Sequence, residues 1–309
     1  MRIAVVMDPL STVDPDHDST YVLMREAHRR GHEVHHVAPS GVEYRGGASR
    51  LRGRRLDLST WPIAAGPMGE VERVDAVLIR TDPPFDADYL AVTQLLDLLP
   101  PGVFVMNRPR GLRDANEKLA ALRFPELGPP TLISQDEAAI EAFRVEVGGA
   151  MVVKPLDGHG GSGVFLVQGD DPNRRALVRG ATRGGTAKVV AQGVVEGSEA
   201  GDVRVIVLGG EPIGAVLRRN DRGDFAHNLA IGGRAYKAEV GAAERRVCDA
   251  IAPWLRASGL YLAGIDLVGG KLIEVNVTSP TCLQEINRLD GVRLEAAVVD
   301  FIEGEVGRG

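Results

Sequence analysis

The chain has 309 residues, 44% apolar and 25% charged, with a net charge of −6; at roughly 100–200 residues per domain, this predicts about two domains of ordinary globular composition. No apolar run reaches the ~18 residues of a membrane-spanning helix, Asp8 comes too early for a signal peptide, and the negative balance excludes a global field favouring nucleic acid. Two cysteines, Cys248 and Cys282, make neither a disulfide framework nor a four-ligand zinc site, so a reducing cytoplasm is the expected compartment.

Residues 2–7 read as a buried strand, Asp18-Ser19-Thr20 as a helix N-cap and Gly31 as the glycine that ends that helix. Residues 33–37 give a second strand and complete a βαβ unit. His28, His32, His35 and His36 straddle the helix end and this strand, which is poor geometry for a metal site. The basic run at 50–55 (RLRGRR) reads as a solvated loop rather than a polyanion site. A second cycle follows: strand 76–79, loop 80–86, helix 87–99, a Pro100-Pro101-Gly102 break and strand 103–106. Such alternation predicts a parallel, doubly wound N-terminal domain of about 120 residues. After Gly128-Pro129-Pro130 the texture changes, with strands predicted at 150–154, 164–168, 187–192, 204–208 and 213–217 in an α+β arrangement with antiparallel sheet. Residues 220–234 are polar, contain glycine and lack periodicity, so they read as a mobile loop.

Of 36 basic residues only five are lysine, which draws attention to Lys118 and Lys154. Lys154 opens the segment Lys-Pro-Leu-Asp-Gly-His-Gly-Gly-Ser-Gly (154–163), which is not a Walker A loop because no Gly-Lys-[Ser/Thr] closes it. Strand-like residues follow the glycines, so the segment is a flap between strands rather than a Rossmann cradle; it could be a plain hairpin or fold its N–H groups over phosphates. Glu274 and Asn276 lie two apart on a predicted strand, 272–277, and share a face. Asp266 lies across the turn at Gly269-Gly270. A three-residue turn puts it opposite Glu274, and a two-residue turn puts it on the other face. Together these three oxygen donors suit Mg²⁺ shared with substrate phosphates; the alternative is a solvated acidic hairpin. Thr278-Ser279-Pro280-Thr281 reads as a turn able to hold a carboxylate, and Arg80, Arg204 and Arg219 lie near strand ends. No Ser–His–Asp or Cys–His grouping is evident.

In order along the chain, these pieces resemble the prokaryotic glutathione synthetases of the ATP-grasp superfamily. The resemblance is carried by Val6-Met7-Asp8-Pro9, by Arg80-Thr81-Asp82-Pro83-Pro84-Phe85-Asp86, by Asn107-Arg108-Pro109 and by Leu112-Arg113-Asp114-Ala115-Asn116-Glu117-Lys118. It continues through Lys154-Pro155-Leu156-Asp157-Gly158 and Asn228-Leu229-Ala230-Ile231-Gly232-Gly233-Arg234, and closes with the segment from Glu274 to Cys282. It implies an ATP-grasp fold, α/β plus α+β, behind an N-terminal Rossmann-like domain. The divisions expected are 1–122 for the substrate domain, 123–192 for a lid subdomain and 193–309 for the catalytic subdomain with the mobile loop 220–234.

The activity implied by the resemblance joins γ-glutamylcysteine to glycine through an acyl phosphate, with ATP cleaved to ADP and phosphate. Lys118 and Lys154 would then contact ATP, Gly160, Gly161 and Ser162 would form the phosphate flap, and Gln192 to Val195 would surround adenine. Asp202 or Glu199 would lie near the ribose. Asp266, Glu274 and Asn276 would hold two Mg²⁺, with Mn²⁺ as the alternative ion. Arg204 and Arg219 would stabilise the transferring phosphoryl group, while Arg80, Asp8, Ser19, Asn228, Ser279 and Thr281 would face the peptide substrate. A homo-oligomer is expected from the same resemblance, and nucleic acid and membrane are not expected partners. One departure stands out: Ala226 and His227 precede Asn228 where the family carries an arginine two residues before its Asn-Leu-Ala stretch, with Arg222 as the candidate replacement. That leaves two alternatives open, a ligase for another γ-glutamyl or amino-acid donor and a non-catalytic ATP-binding protein.

Overall fold

The structure is a computed structural model and describes residues 1–158, 160–221, 225 and 227–308. Four strands, Arg2–Val6, Glu33–Val37, Ala76–Ile79 and Phe104–Met106, pair in parallel, with Glu33–Val37 at one side and Phe104–Met106 at the other. The near-continuous apolar runs of Arg2–Val6 and Ala76–Ile79 follow from burial on both faces. Helix Ser19–Arg29 begins where the Asp18 carboxylate accepts the N–H groups of Thr20 and Tyr21, and the chain leaves it through Gly31 at φ 84°. The second helix stops at Leu96, short of the expected 99.

The basic run at 50–55 is not a loop. It lies inside the ten-residue strand Ala48–Asp57, which pairs antiparallel with Val42–Arg45, Ala64–Glu70 and part of Glu33–Val37. Ser49, Leu51, Gly53 and Leu56 turn inward, while Arg50, Arg52 and Arg54 face solvent. The N-terminal sheet is therefore mixed and seven-stranded, rather than purely parallel.

Two antiparallel sheets make up the rest. The first runs in the order Phe165–Gln168, Ala150–Pro155, Val189–Gly193, Thr131–Ser134. Met151, Val153, Val189 and Ala191 on one face pack with Ile140, Phe143 and Val178 from helices Glu137–Glu146 and Arg174–Ala181. Val152, Lys154 and Gln192 share the other face, because Gln192 pairs with Val152 and Lys154 lies two residues on. The second sheet runs Arg234–Lys237, Glu211–Arg219, Asp202–Leu208, Leu262–Val268, Lys271–Asn276. Its apolar face, with Val205, Ile265, Leu267 and Val275, packs against Val247, Ile251 and Leu255 of helix Ala242–Ser258.

The buried Asn107 amide joins the N-terminal sheet to this second sheet. It donates to the carbonyls of Leu262 and Val277 at 2.8 and 2.7 Å, and its oxygen accepts the Leu262 N–H at 2.8 Å. Among the described residues, no helix is long and apolar enough to cross a membrane.

Candidate active site

Strand register decides which side chains meet. Val268 pairs with Lys271 across a two-residue Gly269-Gly270 turn whose glycines sit at φ 52° and 73°. On strict alternation this turn would send Asp266 and Glu274 to opposite faces. A register shift between Asp266 and Leu267 skips Ile273 and sets Asp266 directly opposite Glu274. The turn is thus the two-residue alternative, yet a bulge restores the pairing that was expected only of the longer one.

Arg204 lies opposite Asp266 on the next strand and Arg218 lies opposite Asp202 on the strand beyond. Arg204 bonds Asp266 through Nε at 2.8 Å and Nη2 at 2.7 Å. Arg218 bonds Asp202 through Nε at 2.6 Å and Nη2 at 2.9 Å, and the same Nη2 lies 2.9 Å from Asp266 Oδ2. Burial pushes the Asp266 carboxyl up, but the two guanidiniums outweigh it and hold the group well below the usual carboxylate range. Arg219 takes the other side of its strand, where it bonds Asp221 at 2.8 Å and lies 4.5 Å over the Tyr236 ring. The arginine that joins Arg204 around Asp266 is therefore Arg218, which residue-by-residue reading passed over in favour of its neighbour.

Glu274 lies between two ammonium groups, with Lys154 Nζ at 3.5 Å and Lys118 Nζ at 4.0 Å. Burial pushes Lys154 down, against the pull of Glu274. Lys118 is placed by Asn116, which caps the short helix Glu117–Ala120, and its Nζ donates to the Gly158 carbonyl at the root of the glycine loop. Gly161 lies at φ 84°, and a Cβ there would come 2.8 Å from Asn228 Oδ1 and 3.0 Å from Ile231. The glycine loop and the segment after Asn220 therefore touch over the cleft. His227 anchors that segment: its Nδ1 accepts the Asn220 N–H at 3.1 Å, so Nε2 carries the proton donated to the Ser198 carbonyl at 2.8 Å. His227 lines the cleft, and the one sign of it in the sequence was the departure at 226–227. His159, Arg222 and Ala226 lie outside the described residues.

The cleft so formed has two characters. Val152, Val164, Val268 and Ile273 make one part apolar, bordered by Gln192, Gly193 and Val195. Lys118, Lys154, Asp202, Asp266 and Glu274, with Gly160, Gly161 and Ser162 above them, make the other charged. Ser198 lines the cleft; Glu199 is exposed and is not among its lining residues.

On the N-terminal side, Arg80 is buried, with Nε 3.0 Å from Thr20 Oγ1 and Nη2 3.0 Å from the Pro280 carbonyl. Its Nη1 is buried with no partner among the described residues. Ser279 Oγ donates to the Arg80 carbonyl at 3.4 Å and Thr281 Oγ1 accepts from Arg204 Nη1 at 3.3 Å. Ser19 Oγ accepts the Leu283 N–H at 3.2 Å, and Asp8 Oδ2 accepts the Asp82 N–H at 2.9 Å.

The donor set of Asp266, Glu274 and Asn276 is all oxygen, two carboxylates and an amide, which fits a hard divalent cation shared with phosphates. Asn276 Nδ2 is engaged with the Gly264 carbonyl and Asp266 Oδ2, each at 3.1 Å, so the amide oxygen is the end available to a cation.

Family models for the N-terminal domain and the ATP-grasp domain of prokaryotic glutathione synthetase match residues 1–113 and 117–291. The chain belongs to the prokaryotic glutathione synthetase family. It is 41% identical to the glutathione synthetase of Gloeobacter violaceus, over 98% of this chain and 96% of that one, and 39% identical to that of Xanthomonas axonopodis pv. citri, over 98% of each. Among solved structures it is similar to the D-cycloserine synthetase DcsG (TM-score 0.66, 18% identity, 98% of this chain and 100% of that chain). A complex of the ATP-grasp ligase PsnB is likewise similar (TM-score 0.65, 20% identity, 98% of each chain). At those identities the two structures show the fold alone: this glutathione synthetase family member has the ATP-grasp fold behind an N-terminal domain.

Proposed function

We propose that the protein joins γ-glutamylcysteine to glycine at the expense of ATP. The γ-phosphoryl group passes to the cysteinyl carboxylate of the dipeptide, giving an acyl phosphate and ADP; the glycine amine then attacks the acyl carbon, phosphate leaves and glutathione remains. The observation that carries this reading is the two-part cleft, apolar at Val152, Val164 and Ile273 for a purine, and charged at Lys118, Lys154, Asp266 and Glu274 for its phosphates.

In this reading Gln192 to Val195 border adenine and Asp202 faces the ribose. Lys118 and Lys154 hold phosphate oxygens, while the N–H groups of Gly160, Gly161 and Ser162 cover them. Asp266, Glu274 and Asn276 would hold Mg²⁺, or Mn²⁺ in its place, which would neutralise charge on the transferring phosphoryl group. Arg204 meets the developing acyl phosphate, and the unpartnered Nη1 of Arg80 suits a substrate carboxylate. An acyl phosphate hydrolyses readily, so the contact between Gly161 and Asn228 matters as a cover that excludes water. We assign 1–122 to the substrate domain, 123–192 to the lid and 193–309 to the catalytic subdomain, in a cytoplasmic homo-oligomer.

A second reading keeps the chemistry and changes the donor. It rests on His227, whose two hydrogen bonds pin the covering segment in its own way. Phosphate release is measured with ATP, Mg²⁺, γ-glutamylcysteine and glycine, then with each omitted. Release that needs all four, with glutathione found by mass spectrometry, supports the first reading. Activity with a different acid–amine pair alone supports the second, and nucleotide binding without any release overturns both.

A further inference from the structure

Two guanidiniums and an amide of the protein itself crowd the Asp266 carboxylate. Its Oδ2 accepts from Arg204 Nη2 at 2.7 Å and Asn276 Nδ2 at 3.1 Å and is ion-paired with Arg218 Nη2 at 2.9 Å, and its Oδ1 accepts from Arg204 Nε at 2.8 Å. A carboxylate oxygen offers about two lone-pair sites. Oδ1, with one donor, keeps a site for a cation, whereas a cation approaching Oδ2 competes with the charge already paired to it.

Of the groups around Oδ2, the bonding pattern shows which can yield. Arg204 holds Asp266 with two bonds from directly across the sheet and holds Thr281 with a third contact, so its withdrawal would lose the pair. Asn276 brings no charge to Asp266, so its departure would leave both guanidiniums facing the cation. Arg218 has a single ion-pair contact with Asp266 and keeps its fork on Asp202 if that contact opens. It is 2% exposed, so no water shell screens its charge from the two carboxylates.

We propose that Arg218 is a positioning residue that stands in for the divalent cation. It holds Asp202 and Asp266 together in the nucleotide-free protein, and yields Asp266 when cation and nucleotide enter together. By occupying Asp266 it keeps a free divalent cation from binding ahead of the nucleotide.

The probe is Mn²⁺ alone, titrated into the nucleotide-free full chain with unbound Mn²⁺ read by electron paramagnetic resonance. Arg218→Met removes the charge and the donors, leaving two adjacent buried carboxylates, and should bind Mn²⁺ at least about tenfold more tightly than the wild type. Arg218→Lys keeps the charge and should stay within about threefold of the wild type. Arg218→Gln is a second neutral variant that keeps a donor for Asp202; it carries the same expectation as Arg218→Met if that variant does not fold. Equal Mn²⁺ affinity in the wild type and the neutral variants overturns the role of Arg218. The inference rests on Asp266 being a cation ligand, so the titration is repeated with ADP. Absence of protein-bound Mn²⁺ with ADP in every variant overturns that reading and this inference with it.

Discussion

Among the described residues, Glu274 is the one carboxylate ion-paired with both buried lysines of the cleft, 3.5 Å from Lys154 and 4.0 Å from Lys118. A neutral side chain there removes a ligand for the proposed cation and leaves the two ammoniums without their anion. Glu274→Gln should fold, since the amide fills the same volume, while turnover in phosphate release falls by about a hundredfold or more. Turnover equal to the wild type, with an unchanged circular dichroism spectrum, would remove Glu274 from the charged end of the site. At this scale much was legible: a chain with five lysines keeps two beside one carboxylate, and both were singled out. Arg218 was not. Arg218 and Arg219 are chemically identical neighbours, and only the pairing of residue 202 with residue 218 decides which of them meets Asp266.

At the scale of elements, the cover over the cleft depends on a glycine where two segments meet. Gly161 combines φ 84° with close approach to Asn228 and Ile231. A Cβ there would strain the backbone by roughly 1–2 kcal/mol and push Asn228 away. Gly161→Ala should therefore lower turnover and raise the fraction of ATP hydrolysed without ligation, because an uncovered acyl phosphate meets water. The ratio of phosphate released to ligated product measures this directly, and a ratio unchanged from the wild type would show that the two segments do not cover the intermediate together.

The glycine loop was legible as a flap because strand-like residues follow it, and its partner segment as a mobile loop, but that the two meet at Gly161 and Asn228 was not. The bulge at Ile273 was not legible at all. One skipped residue has no compositional signature, although it decides whether Asp266 faces Glu274. Strand Ala48–Asp57 was hidden for a related reason: its arginines occupy the solvent-facing positions of a period-two pattern and read together as a basic loop.

For the whole molecule, the order of strands and helices could be read, but what ties the two ends of the chain together could not, since those contacts span some 270 positions. The Glu26 carboxylate, on helix Ser19–Arg29, accepts Arg29 Nε at 2.8 Å, Arg29 Nη2 at 2.9 Å and Arg30 Nε at 2.8 Å, and it also pairs with Arg293. Arg30 reaches onward to Asp300, Glu303 and the Ala296 carbonyl on helix Leu294–Val306. Hydrogen bonds from Arg29 and Arg30 outweigh burial and hold the Glu26 carboxyl at about 2, against 4.5 in an unfolded chain. A carboxyl depressed on folding adds stability that is complete above the unfolded value and disappears as pH falls through the folded one. Allowing for the exposure of Arg29 and Arg293, this amounts to about 2 kcal/mol near neutral pH. Glu26→Gln should therefore melt several degrees below the wild type at pH 7, and the gap should narrow between pH 4.5 and 2. Melting curves of both proteins at pH 7, 4 and 3 test this; a gap that stays constant down to pH 3 would mean that the four contacts act through shape rather than charge.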